Sequence, residues 1–317
     1  HIFPAINLMK YFLEKEFKTI LITDKRGNNF INKDRNFKSY ILNSATPTQK
    51  NILKKIFSYF LIFYSIFKAI IIIKKEKPDL IFGFGGYVSF PISYASKFFK
   101  IPLIIYENNM ILGRANKHLS SISKKIFLAK KINENFPKKY AIKSSVVGSI
   151  LNKDIINCSP LKEKYNRNEL SILVLGGSQG AEIFGEIIPE TIKMIKDKGY
   201  EVEIFQQCTK KQKSLLIDFY KKNNIKSYVF EFEKNILKFA LSSGLAITRC
   251  GASTTAELLH TQTPFIAIPL PNSVDNHQYL NAKYYESKGC CLLLEQQNFK
   301  TENLFKLIVE NIINKNK

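Results

Sequence analysis

The sequence predicts an α/β chain of two doubly wound, Rossmann-like parallel-sheet domains facing each other across a cleft, and three features carry that expectation. Short β-branched runs alternate with longer helical stretches along nearly the whole length, the alternation of parallel βαβ units. Glycine-rich turns stand directly after several of those runs, where an open parallel sheet carries its ligand loops. A polar stretch, "NKDIINCSPLKEKYNRNEL", divides the runs into two series. With 317 residues, 45% of them hydrophobic, the chain can bury two cores, and a disordered chain is excluded. The expected division is an N-terminal domain over 1–152, a linker over 153–166 and a C-terminal domain over 167–317.

The first element is a helix, from about Pro4, a good first-turn residue, to Glu16, and it feeds a strand at Thr19 to Thr23. A doubly wound domain ordinarily begins with a strand whose turn holds a ligand loop. We therefore expect a strand and its glycine loop to precede His1 in the native protein, with His1 at the helix entrance; a tag remnant is the alternative. Next comes "IFSYFLIFYSIFKAIIII" over 56–73, broken by Lys68 alone and flanked by Lys54, Lys55, Lys74 and Lys75. Its length approaches a bilayer crossing, but it runs straight into the strand Leu80 to Gly83, so an interfacial helix on anionic headgroups fits better than a span or a buried crossover. Strands at Leu103 to Tyr106, Ile126 to Ala129 and Ser145 to Val147 complete the first series.

The second series comprises Ser171 to Gly176, Glu201 to Gln206, Tyr228 to Phe232, Leu245 to Thr248, Phe265 to Pro269 and Cys291 to Glu295. Its first strand ends in "GGSQG", and Ser178, Gln179 and Gly180 enter the following helix, where backbone amides and the positive helix end suit a diphosphate. A second such turn is "GFGGYVSFP", with Gly85, Gly86 and Tyr87 as candidate donors at a cleft rim. A third, "RCGASTTAELLH", offers Arg249, small residues Ala252, Ser253, Thr254 and Thr255, and Glu257, a carboxylate able to accept both hydroxyls of a ribose or, more blandly, to balance the helix dipole. In "PLPNSVDNHQYLNA", Gln278 and Asn281 share a helical face and can meet sugar hydroxyls, or simply cap and solvate that face.

Composition narrows the classes. The formal net charge of +22 points to an anionic partner, whether nucleic acid, acidic membrane or phosphorylated substrate, unless the lysine excess only reflects an A/T-rich genome. No RNP-like or helix-turn-helix pattern supports nucleic acid. Neither GxGxxG nor a Walker loop is present, which disfavours dinucleotide oxidoreductases and P-loop NTPases. Five cysteines, an odd number with no CxxC, are read as reduced thiols rather than disulfides or metal ligands.

Taken in order, "HIFPA", "GFGGYVSFP", "YENNMILGRANKHLS", "GGSQGAEIFGEIIP", "RCGASTTAE" and "PLPNSVDNHQYLNA" resemble one family over essentially the whole chain: the peptidoglycan N-acetylglucosaminyltransferases that convert lipid I to lipid II, inverting two-domain glycosyltransferases of the B type. The resemblance implies transfer of N-acetylglucosamine from UDP-N-acetylglucosamine to the 4-hydroxyl of undecaprenyl-pyrophosphoryl-N-acetylmuramyl-peptide at the cytoplasmic face of the cell membrane, without cofactor, metal or nucleic acid. It implies donor contacts from Ser178, Gln179 and Gly180 at the diphosphate, Arg249, Ala252 to Thr255 along the nucleotide, Glu257 on the ribose, Gln278 and Asn281 near the sugar, and Ile236 beside the uracil. Tyr87 and Asn109 would meet the acceptor, with His1 the general base and Glu107 the second choice. The chain lacks DxD, the carboxylate pair that holds metal in the other large glycosyltransferase architecture. It departs from the family at Tyr106 (histidine), Asn108 (glutamine), Asn152 (arginine) and Gln262 (glycine), and the resemblance would place the family's long return helix after Lys317. A UDP-N-acetylglucosamine 2-epimerase, the rival of like architecture, would share the donor half but need neither "GFGGYVSFP" nor the lysine-rimmed stretch.

Overall fold

The structure, a computed structural model, describes residues 1–31, 37–43, 51–132, 136–159, 169–177, 181–233 and 235–313. The chain forms two compact units, His1–Asn152 and Lys153–Lys317.

In the first unit α1 (Ile2–Glu14) leads into β1 (Ile20–Thr23), α2 (Lys25–Asn29), β2 (Lys38–Ile41) and α3 (Ile52–Glu76). Then follow β3 (Ile81–Gly83), α4 (Gly86–Ala95), β4 (Leu103–Glu107), α5 (Arg114–Leu119), β5 (Lys125–Leu128) and β6 (Ser144–Val146). Strands β3-β4-β5-β6 form a parallel sheet in chain order, and β1 and β2 pair separately, also in parallel. Strand β2 was not anticipated: "KSYI" is exposed at three of its four positions and lacks the alternating burial by which a half-buried strand is recognised.

Helix α3 starts at a side-chain cap, Asn51 Oδ1 accepting from the amides of Leu53 (2.9 Å) and Lys54 (3.4 Å), and stops at Lys77 in the left-handed region, followed by Pro78. Its amphipathicity is inverted. The small residues Ser58, Ser65 and Ala69, with Ile73, face the unit, and the Ser65 hydroxyl donates to the Asn43 carbonyl. Ile56, Phe57, Phe60, Phe63 and Phe67 stand exposed. Ala69 and Ile73 belong to the core with Ile81, Leu103, Ile105 and Ile126.

The second unit runs α6 (Lys153–Ile156), β7 (Glu169–Leu175), α7 (Glu182–Asp197), β8 (Glu201–Gln207), α8 (Lys213–Lys222), β9 (Lys226–Phe230) and α9 (Ile236–Ser242). It continues with β10 (Leu245–Thr248), α10 (Ala252–His260), β11 (Phe265–Ala267), α11 (His277–Glu286), β12 (Cys291–Leu293) and α12 (Thr301–Ile308). The six strands lie in the order β12-β11-β10-β7-β8-β9, every pair parallel. Burial on both faces explains the unbroken apolar runs: Ile172 and Val174 of β7 point into one cluster with Phe184, Ile188 and Leu304, while Leu173 and Leu175 point into another with Leu258, Phe265 and Tyr285.

Candidate functional site

In the second unit the order of strands reverses between β7 and β10, the first and fourth strands of the series, which lie side by side in the sheet. An open parallel sheet leaves a crevice outside the carboxyl ends of its strands at that point, with no helix crossing over it. Gly176 and Gly177 end β7, and Arg249, Cys250 and Gly251 end β10. Gly177 has φ +85 and Gly251 caps α10; a Cβ added at either meets nothing within 4 Å, so both turns have open space beside the backbone. Ser178, Gln179 and Gly180 lie outside the described residues.

Among the described residues helix α10 begins with no capping side chain and no acidic residue in its first turn, so no carboxylate there offsets the positive end of the helix. Ala252 is buried and Ser253 and Thr254 are half-buried on that turn. Thr255 is fully buried and its hydroxyl lies 3.1 Å from Gly251 O and 3.2 Å from Ala252 O, which makes it part of the helix start. Glu257 is half-buried one turn further on; its carboxylate accepts no hydrogen bond among the described residues, and desolvation pushes it up to about 7. Ile236 opens α9, half-buried against the cluster that holds Phe230 and Ala240.

Three donor-side candidates turn out to be engaged within the unit. Arg249, buried at the end of β10, donates to Ile268 O (3.1 Å), Pro269 O (3.2 Å) and Gln296 Oε1 (2.6 Å), and its guanidinium lies 5.0 Å from the Phe184 ring centroid. Burial lowers its pKa, and the two carbonyls fix the exit of β11. Asn281 is fully buried and donates to Cys250 O at 3.0 Å, tying α11 to the turn after β10. Gln278 accepts from Leu270 N at 2.9 Å, leaving its Nε2 unengaged among the described residues. The loop that delivers them carries Asn272, Asp275 and Asn276 at φ +57, +52 and +55, a strained run of residues that tolerate the left-handed region.

In the first unit the turn after β3 holds Gly85 and Gly86 at φ +77 and +71. The His1 ring lies against both. A Cβ at Gly85 would sit 3.3 Å from His1 Cε1 and 3.0 Å from Asn116 Nδ2, and one at Gly86 would sit 3.3 Å from His1 Cδ2. Tyr87, next along in α4, is half-buried. Glu107 ends β4 with a buried carboxylate that accepts four hydrogen bonds: Asn109 N and Asn109 Nδ2 on Oε1, both 3.0 Å, and Gly113 N and Asn116 Nδ2 on Oε2, both 2.9 Å. Asn109 thus turns both of these donors toward Glu107. Lys130, buried beyond β5, is pushed down to about 8 by burial, with the Glu107 charge pulling it back up.

Asn116 was not foreseen as a site residue. It sits between Ala115 and Leu119 on the buried side of α5, and a polar residue among apolar ones there was the available signal. Tyr106 and Asn108, two departures from the family pattern, are each other's partners: the Tyr106 hydroxyl lies 3.1 Å from both Asn108 Oδ1 and Gly148 O, accepts from Ile150 N at 3.2 Å, and is pushed up to about 12 by burial. Gln262 occupies the residue after the α10 C-cap at φ +52, with its own amide bonded to Leu259 O (3.1 Å) and the Thr263 amide bonded to Leu258 O (2.8 Å). This is a left-handed helix stop, a position where glycine is the usual occupant and glutamine carries a Cβ penalty.

Residues 1–128 match the glycosyltransferase family 28 N-terminal domain and residues 171–317 match the glycosyltransferase family 28 C-terminal domain. The UDP-N-acetylglucosamine–N-acetylmuramyl-(pentapeptide) pyrophosphoryl-undecaprenol N-acetylglucosamine transferase of Pelagibacter ubique is 35% identical over 99% of this chain and 87% of its own length. The crystal structure of Acinetobacter baumannii MurG superposes with a TM-score of 0.74 at 27% identity, covering 98% of this chain and 86% of that one. A structure from Listeria monocytogenes named for UDP-N-acetylglucosamine 2-epimerase shares the fold alone, with a TM-score of 0.63 at 14% identity over 98% of this chain and 84% of that one. On the match of both family domains in order, and on identity carried across nearly the whole length of a relative, the chain belongs to the MurG family of UDP-sugar-dependent glycosyltransferases.

Proposed function

We propose that the chain transfers N-acetylglucosamine from UDP-N-acetylglucosamine to the 4-hydroxyl of undecaprenyl-pyrophosphoryl-N-acetylmuramyl-peptide, releasing UDP with inversion at the anomeric carbon. The observation that carries the reading is the strand reversal between β7 and β10, with open glycine turns and an uncapped helix start at the carboxyl ends of those two strands. Amides and a positive helix end at such a crevice suit a nucleoside diphosphate and stabilise the charge that develops on UDP as it leaves. Ser178, Gln179 and Gly180 take the diphosphate, Ala252, Ser253 and Thr254 line the nucleotide, Glu257 accepts from the ribose hydroxyls, and Ile236 lies beside the uracil. Gln278 offers Nε2 to the sugar, while Arg249, Thr255 and Asn281 hold these turns in shape.

In the first unit His1 is the base that takes the proton of the acceptor hydroxyl as it attacks, and Tyr87 and the 108–113 turn meet the acceptor. Helix α3 rests in anionic lipid as a peripheral element at the cytoplasmic face of the membrane. Its exposed phenylalanines and flanking lysines support contact with acyl chains and headgroups. Although its 25 residues are long and apolar enough to cross a bilayer, a span would extract Ala69 and Ile73 from the core. Release of UDP from UDP-N-acetylglucosamine, followed with and without a lipid I analogue, tests the reading. Acceptor-dependent release is expected; release indifferent to the acceptor, or formation of the 2-epimer instead, overturns it.

A further inference from the structure

We propose that Glu107 is a positioning residue, acting through Asn116 on the seat of the His1 ring; the proposal rests on the reading of His1 as the base. The four donors around Glu107 divide evenly between its two oxygens. Only an ionised carboxylate presents acceptors alone on both sides, whereas a proton on either oxygen displaces a bond that shapes the turn. A carboxylate held in this way is a template for the turn.

What it templates can be followed atom by atom. The Asn116 Nδ2 that donates to Glu107 Oε2 at 2.9 Å also donates to Tyr106 O at 3.0 Å, which fixes the carboxamide between two successive residues of β4. Asn116 is fully buried, and from the point where a Cβ on Gly85 would stand this amide is 3.0 Å away and the His1 ring 3.3 Å away. Gly85, at φ +77, packs close to both groups, so a shift of the amide is passed to the turn that carries the ring. Glu107 therefore sets Asn116, Asn116 sets the height of the Gly85–Gly86 turn, and that turn sets the imidazole. An error of about 1 Å in a catalytic base costs about 100-fold in rate without any loss of substrate contacts.

The test compares Glu107→Gln, Asn116→Ala and the double variant with the unaltered enzyme labelled at histidine Cε1. The chain has four histidines, of which His260 and His277 lie in the second unit and report its folding. In Glu107→Gln the new amide faces two of the four donors; the His1 Cε1–H resonance is expected to move while those of His260 and His277 stay. The kcat is expected to fall about 10- to 100-fold, with KM for the donor unchanged and the acid limb of the pH–kcat profile retained at its midpoint. His1→Ala, in contrast, flattens that limb. Because the two residues act in series, the double variant should lose no more than about threefold beyond the worse single variant. A Glu107→Gln enzyme that loses its acid limb would show Glu107 to be the base; an unmoved His1 resonance, or losses that multiply in the double variant, would also overturn the proposal. Should Glu107→Gln fail to fold, Asn116→Ala leaves the other three bonds to Glu107 in place and is read by the same criteria. The resonance shift does not depend on transferase activity, so failure of the assigned reaction would leave it readable.

Discussion

Donor binding should be linked to a proton at Glu257. The carboxyl lies half-buried with no hydrogen bond among the described residues, and desolvation raises it to about 7. Ribose hydroxyls donate to the ionised form, so the free enzyme must first lose that proton, and affinity must rise with pH. For a single such group the apparent Kd is the limiting value multiplied by (1 + 10^(pKa − pH)): about 1.1-fold at pH 8, about twofold at pH 7 and about elevenfold at pH 6. Calorimetric titration with UDP-N-acetylglucosamine between pH 5.5 and 8.5 reads this directly, and that diphosphate diester does not itself titrate in the range. At pH 7, titrations in buffers of different ionisation enthalpy should report about half a proton released per donor bound. Glu257→Gln should bind more weakly at pH 8 and show no pH slope. A slope that survives in Glu257→Gln, or a flat profile in the unaltered enzyme, would refute the ribose role.

Three further outcomes follow from local geometry. Replacing Phe60 and Phe63, 65% and 74% exposed on α3, by aspartate removes about 1.5–3 kcal/mol of lipid insertion per ring, so co-sedimentation with phosphatidylglycerol vesicles should fall by more than about 100-fold while turnover of a water-soluble acceptor analogue is kept. Gly85→Ala combines left-handed strain of about 1–2 kcal/mol with a contact at 3.0 Å and should lower both melting temperature and kcat; Gly148→Ala, at φ +85 with nothing within 4 Å, should lower only the melting temperature. Gln262→Gly relieves the strain at φ +52 in the α10 stop and should stabilise the chain by about 1 kcal/mol, a rise of about 2–4 °C by calorimetry; a fall in melting temperature would show that this strain is absent.

How far the sequence could be read depended on which physical signal each feature leaves. Strands β7 and β10 are buried on both faces and so write continuous apolar runs, which made the second unit's series legible. The glycine turns were legible for the same kind of reason, since each stands where a strand stops. Strand β2 left no such trace, because its side chains are mostly exposed. Side-chain partners were the least legible. Arg249 and Asn281 lie in motifs that suit a ligand, yet their donors reach carbonyls at the exit of β11 and after β10, contacts decided by tertiary packing rather than spacing. Asn116 was overlooked because a lone asparagine on a short helix reveals nothing until the carboxylate it serves, nine residues earlier, is brought beside it.

The two glutamates show how one residue type is given opposite work by its surroundings. Glu107 is buried, but four donors replace the water it lost, so its two oxygens are committed to shaping the turn. Glu257 is less deeply buried and has no such donors among the described residues, so its charge is destabilised until something supplies them. A carboxylate of the first kind gains nothing from a ligand and loses its function if disturbed. One of the second kind recovers, on binding a pair of hydroxyls, the stabilisation that folding withheld. On the proposed reading, that difference in solvation, and not position in a motif, separates the carboxylate that frames the site from the one that meets the ligand.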